Sequence, residues 1–388
     1  MDTTRNIYER LSEAISGTDF SWTLCLVGED QAEKMSELTK GLRGDLRTGE
    51  GKHVTSGFAY WGIGPTIAWS NACSDVFYPV MKESLRNFKY AWRLVHPGLD
   101  GSRWHFVSLG VGNGQKDHIM LEHLNALHPQ MTYIPVDMSS DMLGLGARET
   151  SNVVGFERTI PIQLDISNGQ NLVELKRLLR HLLGDEPILF GLLGNTLANF
   201  DTDEALLRSL GELLRPQDRF LLEVATTTTV ADEMAQAAAG EYVSSRFFRE
   251  FVTSSLLHHT DITIDMDFVE FHGSVEANGR ALRIEVRYHN KTGEIIRVTL
   301  PSREVINFAA GQSIQVYLTR KYSAPGLQRM VDRVGLVKVI STEDQADERR
   351  RIFGIDLLLL ANDPNARRLS SASDVANEIV SPRRPAKR

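Results

Sequence analysis

The sequence predicts a doubly wound α/β fold, a mainly parallel sheet flanked by helices, carrying a second, smaller α+β part. Three observations point there. From Trp104 onward, short apolar runs alternate with amphipathic helices, the pattern of βαβ units. A glycine-rich turn, VSLGVGNGQKDH (Val107 to His118), joins the first of those strands to its helix. Between Thr226 and Lys321 the rhythm breaks into alternating strands bounded by turn residues, which implies antiparallel pairing.

Taken in chain order, Thr3 or Thr4 is expected to cap a first helix through Ile15, with Ile7, Leu11 and Ile15 on one face. A second helix is expected from Asp30 to Leu42. Gly57 to Pro79 holds Gly and Pro punctuators and two tryptophans, and reads as an ordered loop before helix resumes up to Pro97. Strands are then expected at His105 to Leu109, Thr132 to Val136, Thr159 to Leu164, Ile188 to Leu193 and Arg219 to Ala225. The helices between them fall near Asp117 to Leu127, Ser140 to Glu149, Asn171 to Leu183 and Asp203 to Leu214. A helical portion through Leu257 precedes the strands ITIDMDFVEFHGSVE, ALRIEVRYHN and EIIRVTL, with hairpin turns expected at Asn278-Gly279 and Thr292-Gly293. A helix (Ala324 to Val334), a strand (Leu336 to Ile340) and a long apolar strand (Ile352 to Ala361) close the ordered chain.

These elements divide the chain into an N-terminal helical part (1–80), a doubly wound core (81–225), an inserted part (226–320), the end of the core (321–362) and a Ser-, Arg- and Pro-rich tail (363–388) expected to be disordered. The N-terminal part and the insertion together form the expected substrate domain.

Composition bounds the function. Of 388 residues, 42% are hydrophobic and 24% charged, ordinary globular values that support a sizeable core. The net charge of −7 repels phosphate backbones, so no nucleic-acid partner is expected. Two cysteines, Cys25 and Cys73, match no metal spacing and make no disulfide framework. His258-His259 and the His118/His123 pair lack ligand geometry, so no metal is expected. Without an apolar run of membrane length or a signal-peptide pattern, a soluble, cytoplasmic monomer or homodimer is expected.

The glycine turn carries the strongest chemical signal. Gly110, Gly112 and Gly114 permit a tight turn and close backbone approach at a helix start, where free N–H groups point outward. The next strand ends in VDMS, placing Asp137 after Gly112 at close to the roughly 20-residue spacing of an acid that binds ribose hydroxyls. The sequence has G-x-G-x-G followed by Gln115 and Lys116, not the pyrophosphate fingerprint G-x-G-x-x-G.

The closing helix, strand and last strand (LQRMVDRVGLVKVI, then FGIDLLLL) resemble the end of the class I, Rossmann-like S-adenosylmethionine-dependent methyltransferase fold, whose final strand enters antiparallel. ILFGLLGNTLANF (Ile188 to Phe200) resembles the LGxTxGNF segment of the histidine Nα-methyltransferases of ergothioneine biosynthesis. In order, LGVGNGQK resembles that family's LGSGxxxK, YIPVDMS its YxPVDxS, LDI near Asp165 its GDF, and FAAGQSIQVYLTRKY (Phe308 to Tyr322) its FxxGExIxTExSxKF. The similarity runs from about Tyr60 to Ala361.

The resemblance implies S-adenosylmethionine as cofactor. It places Gly110, Gly112, Gly114 and Lys116 at its methionine end, Asp137 at the ribose, and Asp165 and Ile166 at adenine, with Ser139 and Asn195 also in the cofactor site. Asn199 would bind the head group of an amino-acid substrate, and Tyr60 (in GFAYWG) and Tyr78 (in VFYP) would sit in the substrate site and handle the proton. The departures are informative. The acid of the family's first glycine motif is Ser108 here, and the family's YDxxGSxLF run is replaced by WGIGPTIAWSNACSD. Tyr317 and Thr319 replace the glutamate and serine that grip imidazole. A phenol there replaces a carboxylate, and losing a charge-assisted contact costs about 1.5–3 kcal/mol, so histidine is not the expected substrate. Three readings stand at this point: an N-methyltransferase of a free amino acid or amino-acid-derived metabolite, an O- or C-methyltransferase of a specialised metabolite, and a non-catalytic cofactor-binding protein.

Overall fold

The computed structural model describes residues 7–16, 23–44, 51–75, 79–99, 101–343 and 352–366. The caps expected at Thr3 or Thr4 and the tail after residue 366 lie outside them, as does Tyr78.

The N-terminal elements are α1 (Ile7–Ser16), β1 (Leu26–Val27), α2 (Lys34–Arg43), β2 (Lys52–His53), α3 (Ile63–Ser74) and α4 (Pro79–Val95). Helix α3 corrects the expectation of a loop over Gly57 to Pro79. The Gly62, Gly64 and Pro65 cluster sits at the start of the helix, not in its middle. Gly62 precedes the helix at φ +98°, and Pro65 lies in the first turn, where a missing N–H costs nothing. Thr66 N–H then closes the first helical bond onto Gly62 O at 3.0 Å, and Trp69 and Ala72 are buried.

The central sheet follows the expected rhythm: β3 (His105–Leu109), α5 (Gln115–Leu127), β4 (Tyr133–Asp137), α6 (Ser140–Thr150), β5 (Ile162–Gln163), α7 (Gly169–Leu183), β6 (Ile188–Leu192), α8 (Asp203–Leu213) and β7 (Arg219–Thr227). All residues of β3, β4 and β6 are buried, as strands covered by helices on both faces must be. The parallel order is β1-β5-β4-β3-β6-β7. The chain steps outward from β3 to β5 and then returns to β6. That reversal opens a crevice at the carboxyl ends of β3 and β6, where ligands bind in such sheets.

After β7 come α9 (Asp232–Val243), α10 (Arg246–His259), β8 (Val269–Val275), β9 (Ala281–His289), β10 (Ile296–Thr299), β11 (Val305–Phe308) and β12 (Ser313–Ser323). Asn278-Gly279 lies between the antiparallel strands β8 and β9, with Gly279 at φ +62°. The strand expected from Ile262 starts only at Val269, because Asp265 accepts from Asp267 N–H and caps a 3-10 turn over Met266–Phe268. Thr292-Gly293 does not make a hairpin within the sheet. The Asn290 side chain donates to Glu294 O and Phe308 O and accepts from Thr292 N–H, so the chain leaves the sheet. Strand β10 then pairs with β11 in a separate two-stranded sheet, and the place beside β9 goes to β12.

Strand β12 also joins β7, pairing in parallel at Tyr322↔Thr226 and Ser323↔Thr227, so the inserted strands extend the central sheet. Helix α11 (Ala324–Arg333), β13 (Val337–Ser341) and β14 (Phe353–Ala361) follow, with β14 antiparallel to both β7 and β13. That is the antiparallel entry of a class I Rossmann-like sheet. Leu38, Val54, Phe58 and Trp69 from the N-terminal part share one apolar core with Phe248, Phe251, Val286 and Tyr317 of the insertion.

Candidate active site

Backbone geometry dictates the glycine turn between β3 and α5. Gly110, Gly112 and Gly114 all have positive φ (73°, 57° and 74°). A Cβ on Gly112 would sit 3.1 Å from the Trp69 ring, and one on Gly114 would sit 2.9 Å from Gly146 Cα. Above the turn lies one cavity, lined among others by Gly110, Gly112, Lys116, Asp137, Asp165, Ile166, Asn195, Asn199, Tyr60, Tyr317 and Thr319. Most of the residues expected at the site therefore meet in one place. A bare backbone cradle beside two strand-end carboxylates fits a nucleoside-containing cofactor.

Asp137 ends β4 with its carboxylate accepting from Ser139 N–H at 3.0 Å and Gly112 N–H at 3.4 Å. Burial pushes its pKa up to about 6, against the pull of those N–H groups. Asp165 follows β5 and accepts from Ser167 N–H at 2.8 Å, while its other oxygen meets the buried ammonium of Lys34 on α2. Burial works to lower the Lys34 pKa, but Asp165 and then Glu37 outweigh it and hold the ammonium above its ordinary value. Asp117, in the first turn of α5, accepts from Tyr133 Oη at 2.6 Å. Its pKa is raised to about 6 by burial, with hydrogen bonds from Tyr133 and Ser108 opposing. An acid thus stands beside Ser108 although the glycine motif itself lacks one.

Lys116 lies in the cavity wall but is not a free cation. Its ammonium meets the Glu223 carboxylate and the Ser84 hydroxyl, and stands 5.4 Å from the centre of the Phe88 ring. Glu223, on β7, also accepts from Ser84 Oγ at 2.7 Å and from Gly194 N–H at 2.6 Å. One buried carboxylate therefore ties α4, α5 and the loop after β6 together. Of Glu223, Glu270 and Glu285, only Glu223 reaches the cavity, and it is already paired; Glu270 pairs with Lys291, and Glu285 with Arg283 and Arg287.

At the other end, Tyr60 Oη and Tyr317 Oη lie 2.9 Å apart, and Asn199 Nδ2 donates to Tyr60 Oη at 3.2 Å. Aromatic rings wall this end: Tyr60 packs edge-on against Trp69 and Phe251, and Tyr317 against Phe248 and Phe251. Burial pushes the Tyr317 phenol well above its ordinary value, a partial counter-pull coming from Tyr60. It is a neutral hydroxyl at physiological pH. Tyr242 and Cys73 also line the cavity; burial raises the Cys73 thiol to about 12, so it stays protonated.

Two expected cofactor residues do other work. Ser139 caps α6, its Oγ accepting from Met142 N–H, and Asn195 staples strands: Oδ1 accepts from Ala225 N–H at 2.8 Å, while Nδ2 donates to Thr319 Oγ1 at 3.1 Å and Arg320 O at 3.3 Å. Asn195 has φ 64°, a left-handed conformation that asparagine tolerates better than most residues. Lys34, Asp117, Trp69 and Tyr242 were not singled out from the sequence. The only signal for Lys34 was a polar residue in an amphipathic helix, which does not reveal a partner 131 residues away.

Away from this cavity, among the described residues, His105, His128 and Glu186 form one cluster with metal-ligand types, and Glu270, His272 and His289 another. In the first, Thr132 N–H donates to His105 Nδ1 at 2.9 Å, which leaves the proton on Nε2 facing Glu186. In the second, Lys291 already neutralises Glu270.

Residues 77–353 match a family described as histidine-specific methyltransferase, SAM-dependent. No curated protein matches the chain. Among solved structures, the CcbJ methyltransferase from Streptomyces caelestis is similar at 15% identity and TM-score 0.35, covering 71% of this chain and 89% of that one. Magnesium protoporphyrin IX methyltransferase (ChlM) from Synechocystis PCC 6803 is similar at 10% identity and TM-score 0.38, covering 78% and 96%. A Burkholderia thailandensis 1,6-didemethyltoxoflavin-N1-methyltransferase is similar at 12% and 0.34, covering 77% and 88%. No helix among the described residues is long and apolar enough to cross a membrane. With the family match spanning most of the chain and the glycine cradle meeting Asp137 above a class I sheet, this chain belongs to the SAM-dependent, histidine-specific methyltransferase family and is a methyltransferase that uses S-adenosylmethionine.

Proposed function

We propose that this enzyme methylates a nitrogen of a free amino acid or an amino-acid-derived metabolite other than histidine. The observation that carries the reading is the Tyr60–Asn199–Tyr317 hydrogen-bonded group at the wall of the cofactor cavity, with a neutral phenol where the family's imidazole-binding carboxylate would stand. Gly110 and Gly112, which line the cavity, would cradle the cofactor through backbone, with Gly114 shaping the turn against Gly146 instead of lining the cavity; Asp137 would hold its ribose hydroxyls, and Asp165 with Ile166 would meet adenine. The bound cofactor supplies a methyl group already activated on a sulfonium.

What remains for the chain is to present a nitrogen lone pair in line and exclude water, effects worth about 7–11 kcal/mol when orientation is good. Asn199 offers an amide that both donates to and accepts from an amino-acid head group. The Tyr60 hydroxyl accepts a hydrogen bond from the α-ammonium and orients it while its proton leaves to water. Thr319 and Tyr317, from the insertion, face the side chain together with Trp69. We assign selection of the acceptor to a domain built from residues 1–80 and 226–320, which the shared apolar core of those two segments supports. Incubation with cofactor and a panel of amino acids, read by product mass and fragmentation, tests the proposal: a nitrogen-methylated amino acid with histidine trailing supports it, and a product methylated only on oxygen or carbon overturns it.

A further inference from the structure

The carbonyls of Ala198, Phe200 and Asp201 flank Asn199 in a tight turn that has no strand partner to satisfy them. One guanidinium does so. Arg320 Nη1 donates to Ala198 O at 3.0 Å and Phe200 O at 2.6 Å, and Nη2 to Asp201 O at 3.2 Å. Arg320 is 1% exposed, so nothing in solvent competes for those donors. Its own carbonyl accepts from Asn195 Nδ2 at the other end of the same turn. The planar fork of an arginine suits this task as a single ammonium does not.

The charge is held by acids from two further places in the fold. Glu276, after β8, accepts from Arg320 Nε at 2.5 Å and from Arg280 Nε at 2.5 Å. Asp203, opening α8, accepts from Arg280 Nη2 at 2.6 Å and from Tyr322 Oη at 2.7 Å. Two cations and two anions thus balance inside the protein, which a buried ionic group requires. Because Glu276 and Arg280 bracket the β8–β9 turn, the inserted sheet fixes where the Asn199 turn stands.

We propose that Arg320, aimed by Glu276, is a positioning residue for the acceptor's head group, acting through Asn199. This rests on the amino-acid reading of the site. The consequence is that the insertion, besides facing the acceptor side chain, sets the distance between head group and cofactor.

The test uses the full chain carrying Arg320→Lys, which keeps the charge but loses the fork, and Glu276→Gln, which leaves the turn's carbonyls untouched. Hydrogen exchange is read at the Ala198 and Phe200 amides, which donate to Asn195 O and Leu197 O within the turn. Both variants are expected to exchange these amides faster, while S-adenosylmethionine binding stays within about twofold and the acceptor KM rises roughly tenfold, the worth of one hydrogen bond. In an Asn199→Ala background, Arg320→Lys should add almost nothing, since both changes remove the same interaction. Unchanged exchange overturns the proposal. So does a full, multiplicative penalty on top of Asn199→Ala, or faster exchange with an unaltered acceptor KM. If the unaltered enzyme turns over no amino acid, the functional reading fails by itself, and a role for Arg320 toward an amino-acid head group falls with it, whereas the exchange still reports whether Arg320 holds the turn.

Discussion

The hydroxyls of Tyr60 and Tyr317 meet at 2.9 Å although 257 residues separate them in sequence. One comes from a 3-10 turn before α3 and the other from β12, so the N-terminal part and the insertion close on one another at one end of the cavity. Asn199 completes the group from the catalytic sheet.

That contact predicts a separation of effects. Tyr60→Phe and Asn199→Ala should lower acceptor kcat/KM by roughly ten- to a hundredfold, the range for losing a hydrogen bond to a charged head group. Cofactor affinity, measured by calorimetry, should move little. Equal losses in both quantities would contradict the assigned roles. Tyr78, outside the described residues, is assigned the same acceptor-side effect from its sequence context.

Tyr317→Glu puts a carboxylate back opposite the acceptor side chain. Histidine turnover relative to other amino acids should rise by about 10- to 100-fold, in line with 1.5–3 kcal/mol for a charge-assisted bond. Competition between histidine and the preferred acceptor in one tube, read by product ratio, checks it.

Much of this was legible from the chain. Apolar runs between turn residues placed β3 and β6 almost to the residue, because strands buried on both faces have no polar alternation to blur them. The Gly62–Pro65 cluster misled because the same residues mark a loop or a helix start. Asn290 was also hidden: the capture of three backbone groups by one side chain sends β10 off the sheet, and no periodicity reports that. At the site, glycine turns and strand-end acids have local signatures, so Gly112 and Asp137 were readable. The Lys34–Asp165 and Lys116–Glu223 pairs join residues more than a hundred positions apart and have none.

The proposed contact between Asp137 and the ribose predicts that cofactor binding depends on pH. Burial holds its pKa near 6 in the folded protein against an ordinary 3.8. An acid raised in this way keeps its proton in the fold longer than when unfolded, so its contribution to stability declines as pH rises through that window. Cofactor binding runs the other way, since ribose hydroxyls donate to the ionised form. Affinity for S-adenosylmethionine should fall by up to about tenfold per pH unit below 6, and binding near pH 6 should release a proton. Calorimetry in two buffers of different ionisation heat reads that release directly; proton uptake would contradict it.

Lys34→Met leaves the Asp165 carboxylate buried without its counter-charge. Breaking such a pair costs about 3–5 kcal/mol when one partner remains. The denaturation midpoint should drop at low and high salt alike, because a buried pair is poorly screened. Affinity for adenosine should weaken while that for methionine holds, and Lys34→Arg should recover most of both properties.

Gly114→Ala tests the cradle. The positive φ of 74° and the approach to Gly146 leave no room for a side chain, and strain of this kind costs about 1–3 kcal/mol. Gly144→Ala is the control, since its Cβ meets nothing within 4 Å and alanine suits a helix. Cofactor binding should be lost in the first and kept in the second.

S-adenosylmethionine and an amino-acid nitrogen are proposed to meet in the cavity shared by Gly112, Asp137, Asn199 and Tyr60. The most direct measurement is fragment mass spectrometry of products from the purified enzyme with cofactor and an amino-acid panel. The expected result is methyl groups on the nitrogen of an amino acid other than histidine, with turnover lowered roughly ten- to a hundredfold by Asn199→Ala while cofactor binding stays nearly unchanged. Histidine as the best acceptor, or methylation on carbon or oxygen alone, would contradict it.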